Sequence, residues 1–195
     1  HKMCAYYANH NIEVQPKNIL VTTGASEAII MTLDCITNEG DELIIPEPFY
    51  ANYDTFAAAC GVKVIPVSST IDTHFSLPSI DEIERKINDK TRAIFICNPN
   101  NPTGYVYTYK ELNYLADLVK THDIFLIVDE VYREFVYDGE IHHSVLTIPG
   151  LEEHAILVDS MSKRYSMCGA RIGCLVSKNK AVMEAALKFA QSRLS

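Results

Sequence analysis

Short apolar runs alternate along the chain with segments whose apolar positions recur at helical spacing. Seven runs read as strands: Ile19–Thr22, Glu42–Ile45, Lys63–Val67, Ala93–Cys97, Phe125–Asp129, Ala155–Asp159 and Ile172–Val176. Several are continuously apolar rather than alternating, the pattern of strands covered on both faces. Between them lie helices with readable starts. Thr108-x-x-Glu111 forms a capping box ahead of Leu112, Leu115, Ala116 and Val119, an i, i+3, i+4, i+7 stripe. Ser79-x-x-Glu82 is a second box, before Ile83 and Ile87. Ser26 opens a third helix with Ile29, Leu33 and Ile36 inward, and Lys180–Leu194 reads as a last one with apolar Val182, Ala186, Phe189 and Ala190. Strand–helix alternation predicts an α/β fold: a three-layer α/β/α arrangement around a mostly parallel seven-stranded sheet, as one domain over residues 1–195.

Composition narrows the picture. The 195 residues are 48% hydrophobic and 22% charged, with 17 basic and 25 acidic side chains giving a net charge of −8. That is an ordinary globular balance, and its acidity argues against a nucleic-acid or anionic-membrane partner. No apolar run approaches the roughly 18 residues needed to cross a bilayer, and residues 1–10 lack the plan of a secretory signal. The expectation is a soluble, cytoplasmic chain. The chain begins with His1 rather than Met, and both ends look cut, as for a piece of a longer protein. Six cysteines include no C-x-x-C pair and read as free, buried thiols. Seven histidines offer no H-E-x-x-H spacing, and the neighbours His142 and His143 read as loop, so no metal site is expected.

In a doubly wound sheet a ligand lies beyond the carboxyl ends of the strands, so the polar residues there carry the chemistry. After the first strand, Thr23-Gly24-Ala25-Ser26 opens a helix whose free N–H groups suit an anion, although Ser26 is as readily a plain N-cap. After the fourth, Asn98-Pro99-Asn100-Asn101-Pro102-Thr103-Gly104 is a stiff turn, able to hold an asparagine toward a ligand oxygen. Asp129 leaves the buried fifth strand, where a carboxylate needs a cation or strong donors, or else caps the next helix. Past the sixth comes Ser160-Met161-Ser162-Lys163, and eight positions on, Arg171. Lys163 is either a snorkelling surface residue or an amine made nucleophilic by desolvation and nearby positive charge, suited to a Schiff base with an aldehyde. Ser160, Arg171 and the Gly24–Ser26 turn would receive a dianionic phosphate. Phosphate, ring oxygen at Asn101, cationic ring nitrogen at Asp129 and aldehyde carbon at Lys163 together describe pyridoxal 5′-phosphate.

N-P-T-G, D-x-x-Y and S-x-S-K followed by R-x-G, in this order and spacing, resemble the fold-type I pyridoxal-phosphate enzymes, specifically the class I/II aminotransferases of aspartate-aminotransferase type. The resemblance runs from about Ile19 to Ser195 and covers that family's large, cofactor-binding domain. It implies Lys163 as the Schiff-base lysine and proton shuttle, and Asp129 as the carboxylate that keeps the ring nitrogen protonated. Tyr132 and Asn101 then meet the phenolic oxygen, and Tyr50 stacks on the ring, with Phe49 and Tyr53 as alternatives. Gly24, Ala25, Ser26, Ser160, Ser162 and Arg171 complete the cofactor cup. The implied function is transfer of an amino group from aspartate or a similar amino acid to a 2-oxo acid, in a cytoplasmic homodimer serving amino-acid metabolism. The family's substrate-gripping small domain falls outside these residues, so the isolated chain is expected to be inactive. Three alternatives remain: a lyase or decarboxylase, a synthase using the same cup, and a non-enzymatic regulator domain. A nucleotide-binding Rossmann enzyme is disfavoured for want of the glycine fingerprint.

Overall fold

The computed structural model describes residues 1–193. Seven strands form one sheet: β1 (Ile19–Thr22), β2 (Glu42–Glu47), β3 (Lys63–Ser68), β4 (Thr91–Cys97), β5 (Phe125–Asp129), β6 (Ala155–Ser160) and β7 (Gly173–Ser177). Their order is β1-β7-β6-β5-β4-β2-β3, and only β7 runs antiparallel to its neighbours. The seven helices are α1 (Lys2–Ala8), α2 (Ala25–Ile36), α3 (Asn52–Ala59), α4 (Ile80–Glu84), α5 (Tyr109–His122), α6 (Met161–Arg164) and α7 (Lys180–Arg193).

Strand side chains alternate between two apolar layers. Ile94, Ile96, Leu126, Val128 and Leu157 pack with residues of α1, α4 and α5; Phe95, Cys97, Ile127, Ile156 and Val158 pack with α2, α3 and α7. Both faces are therefore covered, which is why these strands read as unbroken apolar runs. The same alternation sends Asp129 to the α2/α3 side and Asp159 to the α1/α5 side.

The α5 capping box forms as the sequence predicts: the Glu111 amide donates to Thr108 Oγ1 at 3.2 Å, and the Thr108 amide to Glu111 Oε2 at 2.8 Å. At α4 the Ser79 hydroxyl accepts from the Glu82 amide, but the helix stops at Glu84, so Ile87 packs against the core from beyond its end. Three expectations are corrected. Gly24, not Ser26, is the N-cap of α2, at φ +83°, a conformation in which a β-carbon is strained. Phe189 is exposed rather than inward, since the α7 contact face is Val182, Ala186 and Ala190. Of the cysteines, all free, Cys168 is exposed and only Cys97 and Cys174 are fully buried. Leu194 lies outside the described residues. The β6–β7 connection holds the single turn of α6 and a 3₁₀ turn at Cys168–Ala170 but no long helix to cover a sheet face, and β7 returns antiparallel.

Candidate active site at the strand ends

The reversal of β7 places the residue before it at the same sheet edge as the residues that follow the other strands. Gly173 pairs with Thr22 at the end of β1 and with Ser160 at the end of β6. A β-carbon on Gly173 would lie 2.4 Å from the Gly24 carbonyl carbon and 2.7 Å from the Ala25 amide nitrogen. Glycine there lets the start of α2 sit against β7, bringing Ala25 and Ser26 beside Ser160. Arg171, at φ +51°, then folds over the turn: its Nη1 donates to the Cys168 carbonyl at 3.1 Å and its Nη2 to the Thr23 carbonyl at 3.4 Å. A β-carbon on Gly24 would meet Nη2 at 2.4 Å, so the missing side chain is what admits the guanidinium.

A cavity of about 220 Å³ opens at this edge. Its wall includes Ala25, Ser26, Tyr50, Asn101, Asp129, Tyr132, Ser160, Ser162, Lys163 and Arg171, every expected residue except Gly24, which lies directly behind Arg171. The two residues on which the reading depends, Asp129 and Lys163, thus share one hollow. Ile29, Tyr53, Phe56, Val131 and Cys168 complete the lining. These were not singled out for the wall, apart from Tyr53 as an alternative stacking ring.

Asp129 is buried. Tyr53 donates its hydroxyl to Oδ2 at 2.9 Å, and the Val131 amide donates to Oδ1 at 3.1 Å. Both sequence readings are therefore partly met, since the carboxylate caps the following turn and also faces the cavity. No cationic side chain among the described residues pairs with it. Burial outweighs the two donors and pushes its carboxyl up from 3.8 to about 6. A buried carboxylate satisfied only by neutral donors and open to a cavity is suited to meet a cationic group.

Tyr53 is the main addition to the site, a carboxylate donor rather than a stacking ring. It lies edge-on to Tyr50 at 5.4 Å and against Phe95 at 4.3 Å. Tyr50, 38% exposed, offers the open ring at the mouth; Phe49 stacks behind Tyr53 at 6.5 Å, away from the wall. Asn98 rather than Asn101 anchors the proline-rich loop. Fully buried, it accepts from the Tyr107 amide at 3.0 Å and donates to the His143 carbonyl at 3.2 Å, leaving Asn101 on the wall.

Ser160 caps α6, accepting from the Ser162 amide at 3.1 Å and donating to Ser162 Oγ at 2.8 Å. Lys163 Nζ lies 6.0 Å from the centre of the Tyr132 ring. Burial raises the Tyr132 phenol, while the Lys163 ammonium draws it back down. Lys163 is exposed although it lines the cavity, so burial does not desolvate its amine, and its exposure meets the surface reading rather than the desolvated one.

The backbone topology is that of the aminotransferase fold. The aromatic aminotransferase from Pyrococcus horikoshii OT3 superposes with a TM-score of 0.91 at 35% identity, over 97% of this chain and 51% of that one. All of residues 1–195 match the family model for aminotransferase class I and II, and the chain belongs to that family. It is 36% identical to aromatic-amino-acid aminotransferase 2 of Thermococcus litoralis, over 94% of this chain and 47% of the relative. It is also 36% identical to an aspartate aminotransferase of Pyrococcus abyssi, over 92% and 46% respectively. The chain spans about half the length of the curated relatives it matches. Among the described residues no helix is long and apolar enough to cross a membrane, and no cluster of His, Cys, Asp and Glu could hold a metal.

Proposed function

We propose that residues 1–195 are the cofactor-binding large domain of a pyridoxal-phosphate-dependent aminotransferase, acting on an amino acid and a 2-oxo acid. The observation that carries this reading is Asp129, a buried carboxylate held by a phenol and an amide on a wall that also presents Lys163 and Arg171. A phosphate fits the Arg171 guanidinium, the Ser160 and Ser26 hydroxyls and the amides at the start of α2, where the helix dipole adds to the attraction. Tyr50 would cover one face of the ring, and Asn101 and Tyr132 would be the donors for its phenolic oxygen. Gly24 and Ser162 support the cup from behind and beside it.

Bound pyridoxal phosphate supplies an electron sink for charge developing at a substrate Cα. Asp129 holds the proton on the ring nitrogen and so keeps that sink effective. Lys163 Nζ would hold the cofactor at its aldehyde carbon and would be the group to move the proton at a substrate Cα. A relative named for aspartate supports aspartate or a similar amino acid as the donor. A cytoplasmic homodimer, with the substrate carboxylate gripped by residues outside this chain, belongs to the same reading.

The test is the absorbance spectrum of the chain mixed with pyridoxal phosphate. A near-visible band that borohydride abolishes, with the label mapped to Lys163, is the expected result. A Lys163→Ala variant retaining that band would refute the reading. Turnover of aspartate and 2-oxoglutarate at ordinary enzyme rates by the chain alone would refute its assignment as half a site.

A further inference from the structure

Two short segments carry most of the cavity chemistry, and each has a second face. In 129–133, Asp129 and Tyr132 face the cavity while Glu130 and Arg133 turn away from it. In 159–164, Ser160, Ser162 and Lys163 face the cavity while Asp159 and Arg164 turn away. The averted residues meet on the α1/α5 side. Arg133 donates through Nε at 3.1 Å and Nη2 at 2.8 Å to Glu130 Oε2, and through Nη1 at 3.2 Å to Asp159 Oδ2. Its side chain joins one segment to the other beyond the point where the β5–β6 backbone pairing ends, at Asp129 and Val158.

The surroundings complete the network. Glu130 Oε1 accepts from Ser144 Oγ at 2.9 Å and the Val145 amide at 2.8 Å. Asp159 accepts from the Tyr7 hydroxyl at 2.8 Å, the Ser160 amide at 2.7 Å and Arg164 Nη2. Two carboxylates and two guanidiniums balance, and all four side chains are at most 5% exposed. Burying such a set adds little net stability, and its strength is directional: a guanidinium fork admits one arrangement of its partners where an ammonium admits many.

We propose that Arg133 is a positioning residue: it ties the segment bearing Asp129 and Tyr132 to the segment bearing Lys163 and thereby fixes the spacing of carboxylate, phenol and amine across the cavity. This inference rests on the reading of the cavity as a pyridoxal-phosphate site. Because Arg133 touches none of the cavity contents, its loss acts through placement alone.

The experiment compares the full chain with Arg133→Lys and Tyr7→Phe, each loaded with pyridoxal phosphate. The readouts are the pH midpoint of the near-visible band, the affinity for the cofactor and the thermal midpoint. Tyr7→Phe removes a donor to Asp159 but leaves the Arg133 bridge, so it measures generic loosening. The expected result is a band midpoint displaced by about half a pH unit or more and affinity about tenfold weaker in Arg133→Lys, neither seen in Tyr7→Phe. Should Arg133→Lys not fold, the charge-balanced pair Arg133→Gln with Glu130→Gln takes its place. An unchanged midpoint and affinity in the Arg133 variant, or equal shifts in Tyr7→Phe, overturns the inference while leaving the cofactor reading intact. Absence of a borohydride-fixed label on Lys163 in the unaltered chain overturns both, and is recognised before any variant is compared.

Discussion

Replacing Tyr53 by phenylalanine removes one oxygen atom from the floor of the cavity and little else, since the ring keeps its contacts with Tyr50 and Phe95. That oxygen is the donor to Asp129 Oδ2 at 2.9 Å. A hydrogen bond to a charged group contributes about 1.5–3 kcal/mol, which corresponds to about 1–2 pKa units. In the unaltered fold the carboxyl already stands at about 6 rather than 3.8 because it is buried. Its folded-state pKa is raised, so the fold binds more protons than the unfolded chain between these values. Stability is therefore full below about pH 4 and falls by about 3 kcal/mol as pH rises to about 6. In Tyr53→Phe the carboxyl moves up to about 7–8, and the decline continues through that range. Urea denaturation of the cofactor-free chain at a series of pH values should show the two proteins separating by about 1.5–3 kcal/mol between about pH 6 and 8, and running parallel outside that window. A stability difference that stays constant from pH 5 to about 8.5 would refute the reasoning, because a plain packing defect does not titrate.

Gly173→Ala places a β-carbon 2.4 Å from the Gly24 backbone. It is expected to cost about 1–3 kcal/mol by denaturation and to weaken inorganic phosphate competition for the cup, as measured by displacement of pyridoxal phosphate. Thr108→Ala breaks the α5 capping box far from the cavity. It should cost about 1 kcal/mol, a thermal shift of about 2–4 °C, while leaving the borohydride-fixed Lys163 adduct unchanged.

What the sequence made legible was local. The strand positions, the Thr108 box and the polar residues at strand ends follow from periodicity and spacing over a few residues, and the structure places them as read. Residue chemistry at those strand ends then gathered Asp129, Asn101, Lys163 and Arg171 around one ligand, and all four line one cavity. What stayed hidden depends on partners distant in the chain. Tyr53 and Asp129 are 76 positions apart, and nothing around either reveals that a phenol meets that carboxylate. Glu130 and Arg133 form a readable i, i+3 pair, yet the bond from Arg133 to Asp159 spans 26 positions. The fixed two-residue alternation of β6 did imply that Asp159 faces away from the cavity, but not that a guanidinium waits there. The reversed direction of β7 fits the lack of any long helical pattern between β6 and β7. The exposure of Lys163 was not legible, because a one-turn helix has no periodicity to reveal its outer side.

The place of β7 has a consequence for how the molecule comes into being. The first strand pairs with β7 alone, and β7 lies between it and β6, so an early product of synthesis must wait for a late one. A nascent chain emerging from a ribosome can close β2 through β6 upon themselves while Ile19–Thr22 remains without a neighbour. The turn after β1 and the residues just before β7, which share the cavity wall, come together only when β7 inserts between β1 and β6. Substitutions that loosen β7 are therefore expected to free β1 and the turn after it together, while β2 through β6 stay paired.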